Sequence, residues 1–205
     1  MCRQKSLYKS TNPYSKPIPD GYTTNNFNSG NSSDQTVWFG YYAGGNVGLT
    51  CGSNCPYHTA IGNFAMYNVT GGSYSTAVGQ GAMRDGTSSP NYVTAIGATA
   101  YQYATGGNSV AVGVAAHERG SGSWNTAVGN YALYEGGTAT KSIAVGYQAA
   151  RETSGSYFVA LGYNAGYMAA DNTTFAGYEA GRYTSGADNV GVGFWALYKS
   201  STGKE

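Results

Sequence analysis

The chain is poor in charge, and this shortage excludes several kinds of partner. Asp, Glu, Lys and Arg make up 10% of its 205 residues, and the formal net charge is +1. Because so weak a charge gives no broad electrostatic attraction, neither nucleic acid nor an anionic membrane is expected as a partner. No apolar run approaches the roughly 18 residues of a membrane-spanning helix, and the first residues lack the apolar segment of a secretion signal. We therefore expect a soluble product made in the cytoplasm, without membrane insertion.

Cysteine is also scarce. Only three cysteines are present, too few for the two ligand pairs of a usual structural zinc site. Cys51 and Cys55 lie close together, with His58 shortly after them. Unbridged thiols are the preferred interpretation of this pair, a local disulfide the second and a metal site the third. No metal and no other cofactor is predicted.

The clusters of side chains that catalysis requires are missing as well. The ten acidic residues are scattered singly, whereas glycan-cleaving enzymes need two carboxylates that face each other. Glu135 and Glu152 could approach on neighbouring repeats, although a solvated surface is the better interpretation. His58 and His117 have no recurring Ser or Asp partner for a triad, and no glycine-rich loop has the form of a phosphate-binding P-loop. We predict no catalytic residues and no enzyme activity.

Glycine and tyrosine, by contrast, are abundant, with 32 and 20 residues, and glycine marks a repeat. The repeated phrase is a β-branched or hydroxyl residue, a small residue, an aliphatic residue, Gly, two variable residues and Ala; it is clearest in residues 76–82 and 126–132. Ten glycines, which we call marker glycines, begin these Gly-x-x-Ala units: Gly40, Gly62, Gly79, Gly97, Gly113, Gly129, Gly146, Gly162, Gly177 and Gly193. By subtraction they are 15 to 22 residues apart. This self-similarity indicates a stacked repeat architecture.

Each repeat has the pattern of one short strand. The residue before the marker glycine is nearly always aliphatic, the residue two positions earlier is β-branched or Thr, and the residue between them is Ala in seven copies. Period-two spacing puts the first two columns on one face of a strand, and Gly permits a bend at its end. Sixteen glycine-rich residues cannot hold two helices. The prediction is an all-β parallel β-roll or solenoid of about ten 16–17-residue coils, formed by residues 35–205.

Both faces of the predicted strands are apolar or small, which is typical of strands covered on both sides. We expect one face, the aliphatic one, to line the coil interior and the Ala face to pack against an identical chain, which makes the protein a homo-oligomer. Turn and packing roles are predicted for the clearest Gly-x-x-Ala pairs: Gly79 and Ala82, Gly97 and Ala100, Gly113 and Ala116, Gly129 and Ala132, and Gly146 and Ala149.

Residues 1–34 differ in kind from the repeats. Three prolines, Pro13, Pro17 and Pro19, favour extended backbone over helix. Four basic residues precede the first acidic one: Arg3, Lys5, Lys9 and Lys16. We expect an extended arm that lies along a partner chain and anchors the protein, with a flexible leader as the alternative.

Aromatic residues recur at two positions of the repeat. Five residues before a marker glycine stand Tyr57, Tyr74, Tyr92, Trp124 and Tyr157, and one residue after it stand Tyr41, Tyr147, Tyr163, Tyr178 and Phe194. We expect each column to stack into a ladder. The ladders either cap the coil edges and fill a seam between chains, which is preferred, or form a sugar- or protein-binding wall with Tyr147, Tyr163 and Tyr178 as candidate contacts.

The segments Asn-Ser-Val-Ala-Val-Gly at 108–113 and Lys-Ser-Ile-Ala-Val-Gly at 141–146 resemble the head repeat of trimeric autotransporter adhesins. The resemblance covers roughly residues 37–197 and implies a left-handed parallel β-roll with three chains around a threefold axis. Those adhesins also have a signal peptide, a heptad stalk and a membrane anchor, none of which we expect in this protein. Similar Gly-x-x-Ala arrays occur in bacteriophage fibres and virion appendages.

Two functional hypotheses follow, because a resemblance of fold does not by itself establish function. The first is a non-enzymatic structural protein of a bacteriophage virion, made in the host cytoplasm. It would be a head decoration (cement) protein or a short fibre, a homotrimer anchored to capsid or tail proteins by residues 1–34. The second is an adhesin or receptor-binding module, at a bacterial cell surface or on a virion, that contacts host glycan or protein through the aromatic ladders.

Overall fold

A computed structural model describes residues 37–45, 57–86 and 91–200. Over these residues it contains ten strands and no helix. The strands are β1 (Val37–Phe39), β2 (Thr59–Ile61), β3 (Thr76–Val78), β4 (Thr94–Ile96), β5 (Val110–Val112), β6 (Thr126–Val128), β7 (Ile143–Val145), β8 (Val159–Leu161), β9 (Thr174–Ala176) and β10 (Val190–Val192). They form one sheet in sequence order, and every pair is parallel. The predicted all-β parallel solenoid, with one strand in each coil of about 16 residues, is confirmed.

Two of the predicted features lie outside the described residues. They are the arm at residues 1–34, with Arg3, Lys5, Lys9 and Lys16, and the pair Cys51 and Cys55. The hypotheses on these segments stay predictions.

The repeat sets the register of the sheet. Pairing aligns residues that hold the same repeat position, such as Thr76 with Thr94 and Ala77 with Ala95. Hydrogen bonds continue past the strands, and the N–H of Gly97 donates to the carbonyl of Val78 at 2.8 Å. Since each strand pairs only with the strands before and after it in the chain, the molecule is quasi-one-dimensional.

The marker glycines are required by both conformation and space. All ten have φ between +125° and +140°, a region that residues with a side chain rarely adopt. A Cβ added to Gly97 would lie 2.3 Å from the carbonyl oxygen of Gly113 in the next coil. The alanine three residues later closes a turn, as where Ala100 N–H donates to Gly97 O at 3.3 Å. The same turn bond joins Ala82 to Gly79, Ala116 to Gly113, Ala132 to Gly129 and Ala149 to Gly146.

The two faces of the strands point opposite to the prediction. The strand centre, usually Ala, is buried in every strand, and the residues on either side of it are half-buried or exposed. The expectation that the aliphatic face lines the interior and that Ala packs against another chain is therefore wrong. The reason is volume: a coil of about 16 residues encloses a narrow interior, which side chains of the following turn already occupy, so that Ala fits there.

Three columns of mostly apolar residues fill that interior. The first column is the strand centres, and the second is the alanines three residues after the marker glycines. The third is the residues four after the marker glycines, which include Met66, Met83, Tyr101, His117 and Leu133. Where the strand centre is aromatic, the residue four after the marker glycine is Gly. A Cβ on Gly44 would lie 1.9 Å from the Trp38 ring, and a Cβ on Gly181 would lie 2.3 Å from the Phe175 ring. A large side chain at one position is thus compensated by glycine at the other.

A fourth inward column, four residues before the marker glycines, is mainly polar and was not predicted from the sequence. Its buried polar members are His58, Ser75, Ser109, Asn125, Ser142, Thr173 and Asn189. Ser109 Oγ accepts the N–H of Asn125 at 3.1 Å and donates to Gly107 O at 3.0 Å. Such side chains satisfy backbone groups between coils where the sheet ladder has ended.

Candidate interaction surface

The outward side of the sheet is a continuous apolar face, which we call the outward face. Its two central columns consist of the first and third residues of the ten strands, Val37 and Phe39 in β1 through Val190 and Val192 in β10. These two columns contain no charged residue. Exposure reaches 60% at Phe39 and 70% at Val192. The described residues thus place an uncharged, β-branched and aliphatic strip in solvent.

Two further columns border this strip. The leading edge consists of the residues five before the marker glycines, and the trailing edge of the residues one after them. Side chains alternate along an extended chain, and the residue four before the marker glycine is buried wherever the structure describes it, so both edges point outward with the central columns. The outward face is therefore four side chains wide.

The predicted aromatic columns stack over part of their length, across three consecutive coils on the leading edge and four on the trailing edge. On the leading edge, ring centroids are 4.8 Å apart for Tyr57 and Tyr74 and 5.2 Å apart for Tyr74 and Tyr92. On the trailing edge the candidate residues Tyr147, Tyr163 and Tyr178 stack at 5.2 and 5.0 Å, and Phe194 continues the column at 5.1 Å.

Stacking limits what these rings can bind. Adjacent rings of the trailing edge are inclined by 5° to 15°, so each inner ring has both faces covered by its neighbours. A sugar that stacks on an aromatic ring needs an open face. The ladder instead presents ring edges and a row of phenol hydroxyls, with Tyr147, Tyr163 and Tyr178 exposed by 41% to 44%.

The leading edge is held in a backbone conformation that bulky residues disfavour. Tyr74, Tyr92 and Trp124 have φ of 57°, 56° and 60°, in the left-handed region that costs an ordinary residue about 1–2 kcal/mol. Asn108 and Asn172, at the same position in other coils, share this conformation and are better suited to it. Large aromatic residues therefore stand at this edge against the local backbone preference.

In the coils of β6 to β8, cation–π contacts connect the side chains of the leading edge. The Lys141 ammonium lies 5.9 Å from the Trp124 ring centroid and 5.5 Å from that of Tyr157. A cation between two rings is stabilised by both. Lys141 and Asp188 are the charged residues at the described leading edge, and the described trailing edge has none.

A second ladder, away from the outward face, alternates Tyr and Arg and was missed by sequence reasoning. Arg151 lies 5.5 Å from the Tyr134 ring and 5.8 Å from the Tyr167 ring, and Arg182 lies 5.8 Å from Tyr167. Each Arg also pairs with a carboxylate: Arg151 with Glu152 at 3.6 Å, and Arg182 with Glu179. The sequence pattern that could have predicted this ladder is the alternation of Tyr and Arg at the position five residues after the marker glycines. Because the charges cancel locally, this flank offers no open basic patch.

The two histidines are core residues. Asn125 Oδ1 accepts the N–H of Ser142 at 3.1 Å, which fixes the amide so that its Nδ2 donates to His117 Nε2 at 3.0 Å. The imidazole proton of His117 is then on Nδ1, and burial lowers the pKa of His117 to about 4. Burial also lowers the pKa of His58, whose Nε2 donates to Gly72 O at 3.1 Å. Neither ring faces a nucleophile.

Glu135 and Glu152, the acidic residues of neighbouring coils that the sequence suggested as a pair, each stand in a different environment. Glu152 accepts the hydroxyl of Tyr167 at 2.5 Å and lies beside Arg151, while Glu135 is exposed. Within residues 37–45, 57–86 and 91–200, no group of three or more His, Cys, Asp or Glu residues is placed to hold a metal ion. The same residues include no helix that is long and apolar enough to cross a membrane.

Comparison of the chain with protein-family models, with curated proteins and with solved structures gave no match.

Proposed function

We propose that this protein is a non-enzymatic structural component of a bacteriophage virion, a head decoration protein or a short fibre. It assembles as a homotrimer, and residues 1–34 anchor it to capsid or tail proteins. The single observation that carries the proposal is the outward face, because a rigid solenoid with one apolar, nearly uncharged side fits a packed appendage better than a free monomer.

The size of this face supports self-association. Nine strand spacings by six residue spacings give roughly 43 Å by 20 Å, or about 860 Å². A stable interface buries about 800 Å² on each partner, so the outward face is large enough to form one. An identical chain is the simplest partner for so regular a surface.

The regularity of the coil supports a mechanical role. Every described coil is bonded to the next through the sheet and the turns, and several coils are also bonded through buried Ser and Asn side chains. Such a rod holds its ends at a fixed distance, which is what a decoration or a short fibre requires.

Deletion of residues 1–34 tests the anchoring role. We expect the shortened chain to keep the circular dichroism and the mass of the full assembly, and to be lost from purified particles. Replacement of Arg3, Lys5, Lys9 and Lys16 by Gln, in the full chain, separates the charge of the arm from its length. Normal incorporation of the deletion variant into particles would contradict anchoring by this segment.

The alternative function is adhesion, and the row of exposed phenol hydroxyls on the trailing edge favours it. Changing Tyr147, Tyr163 and Tyr178 together to Phe removes these hydroxyls and keeps the stacked rings, as Phe194 does naturally in the same column. If the protein is an adhesin, this variant loses binding on a glycan array while its assembly mass is unchanged. Absence of glycan or host-cell binding by the unaltered protein favours the structural role.

A further inference from the structure

The two edges of the outward face carry their aromatic rings at different heights. In the coils of β2, β3 and β4 the leading edge has Tyr57, Tyr74 and Tyr92, and the trailing-edge residues of the same coils are Asn63, Gln80 and Ala98. In the coils of β7, β9 and β10 the order is reversed. The trailing edge there has Tyr147, Tyr178 and Phe194, and the leading edge has Lys141, Asn172 and Asp188.

Most coils therefore have one large aromatic side chain at their two edge positions, and the edge that carries it changes along the solenoid. Nine coils, those of β2 to β10, have both edge positions described, and seven of them hold one aromatic residue between the two positions. The exceptions are the β5 coil, with Asn108 and Val114, and the β8 coil, with Tyr157 and Tyr163. One aromatic residue for each level is thus the rule.

No contact among the residues that the structure describes accounts for this compensation. The two edge positions of a coil are separated by six residues of nearly extended chain, about 20 Å, and no described ring of one edge touches the other edge. The stacks run along each edge and not across the face. Compensation between the edges requires another surface that brings them together.

We infer that neighbouring subunits are parallel and in register around an axis along the solenoid, with the leading edge of one chain packed against the trailing edge of the next. This inference rests on the proposed self-assembly and specifies its seam. At most levels of the seam, one ring then meets a small, polar or cationic side chain. At the β7 level, Lys141 of one chain meets Tyr147 of the next, which is a favourable pair.

Reversing one chain fills the seam less evenly. With leading edge against leading edge and the described coils centred on β6, Tyr92 would oppose Tyr157, Trp124 would oppose its own copy, and Asn108 would oppose Lys141. The parallel arrangement is also the one in which the seam closes into a ring of identical contacts.

Paired cysteines test the register. In a chain whose native Cys2, Cys51 and Cys55 are replaced by Ser, Tyr74→Cys and Gln80→Cys introduce thiols on the two edges of the β3 coil. We expect a short bismaleimide to convert most of this variant into covalently linked chains of the full assembly size, while either single substitution gives no linked species. Tyr92→Cys with Ala98→Cys repeats the test one coil higher, in case the first pair disturbs folding.

Two control pairs separate the alternatives. Tyr74→Cys with Tyr178→Cys places thiols on opposite edges but six coils apart, and it gives no linked chains if the register is correct. Tyr74→Cys with Asn172→Cys places both thiols on the leading edge, and it is linked only if the chains are antiparallel.

Light scattering on each variant distinguishes failure of the seam from failure of the proposed assembly. An oligomer that is linked through the same-coil pairs supports the inference. An oligomer that is linked through either control pair, or through none of the pairs, overturns the seam and leaves self-assembly intact. A folded monomer overturns both.

Discussion

At the residue scale, the marker glycines make the strictest demand on the sequence. Their φ values exclude most side chains, and at every marker glycine except Gly193 the space in which a Cβ would stand holds the backbone of the next coil. Other left-handed positions of the same coil accept Tyr, Thr, Ala, Asn or Trp. Those positions have φ between 46° and 64°, whereas the marker glycines lie between +125° and +140°, so both the conformation and the close approach of two coils impose glycine.

Gly113→Ala is expected to destabilise the protein strongly. Its Cβ would lie 2.6 Å from the carbonyl carbon of Gly129, so two coils must separate, and we expect a loss of about 3 kcal/mol or more in unfolding free energy. Gly81→Asn is the matched control, because a Cβ on Gly81 meets its nearest atom at 3.7 Å and Asn164 stands at the same repeat position. Urea denaturation measures both; equal midpoints for the two variants would refute the steric explanation.

His117 should make the stability of the protein depend on pH. Burial lowers its pKa from 6.5 to about 4 in the folded chain, so the unfolded chain binds more protons between these values. Stability is then complete above about pH 6.5 and falls as the pH is lowered toward 4, by about 3 kcal/mol for this residue. His117→Leu, which copies Leu133 of the next coil, should reduce this dependence.

Urea midpoints at pH 7.5 and pH 5.0 provide the measurement. His58→Leu isolates the contribution of the second buried histidine, whose pKa is lowered in the same direction. A pH dependence that is unchanged in both variants would show that other groups are responsible.

At the element scale, a coil keeps its volume by exchanging residues between two of its positions. Ala77 with Met83 and Phe175 with Gly181 are two solutions to one packing problem. The strand centre and the fourth residue after the marker glycine share one space, so neither can be changed alone.

Phe175→Ala should cost about 3–5 kcal/mol by leaving a cavity, and Gly181→Met alone should be destabilising because its side chain would overlap the Phe175 ring. The double variant reproduces the β3 coil and should recover most of the loss. Met83 shows that a methionine at this position adopts the required positive φ. A double-mutant cycle by urea denaturation measures the coupling, and additive losses would contradict the shared-volume explanation.

The strands were predictable because their signal is repeated ten times, and each predicted Gly-x-x-Ala unit follows a strand of the sheet. The direction of the two strand faces was not predictable from the strand alone, because Ala is small enough for either side. The pairs Trp38 with Gly44 and Phe175 with Gly181 do indicate the direction. Because a glycine accompanies each aromatic strand centre, the two positions share one interior space, and the strand centre must face inward. The polar inward column was missed because Ser, Thr and Asn just before a short strand are also typical turn residues.

At the scale of the whole molecule, the outward face dominates the expected behaviour. If the protein assembles through this face as proposed, Val112→Lys with Val128→Lys should separate the subunits without unfolding them, because these side chains point away from the coil interior. Ser121→Lys with Thr138→Lys adds the same charge at exposed positions outside the outward face and should leave the mass unchanged. Light scattering and circular dichroism decide the matter, and an intact assembly in the first variant would exclude this face from the interface.

Because each coil is bonded only to its two neighbours, the length of the solenoid depends on the number of coils. Excising residues 114–129 joins Gly113 directly to the residue that follows Gly129, so the remaining repeats meet with their bonding pattern unbroken. The rod should become shorter by one strand spacing, about 4.8 Å, and electron microscopy of the assembly would measure the change. Recombination between copies of the repeat can therefore lengthen or shorten such a solenoid by whole coils, and selection can adjust its length while the contacts between coils stay the same.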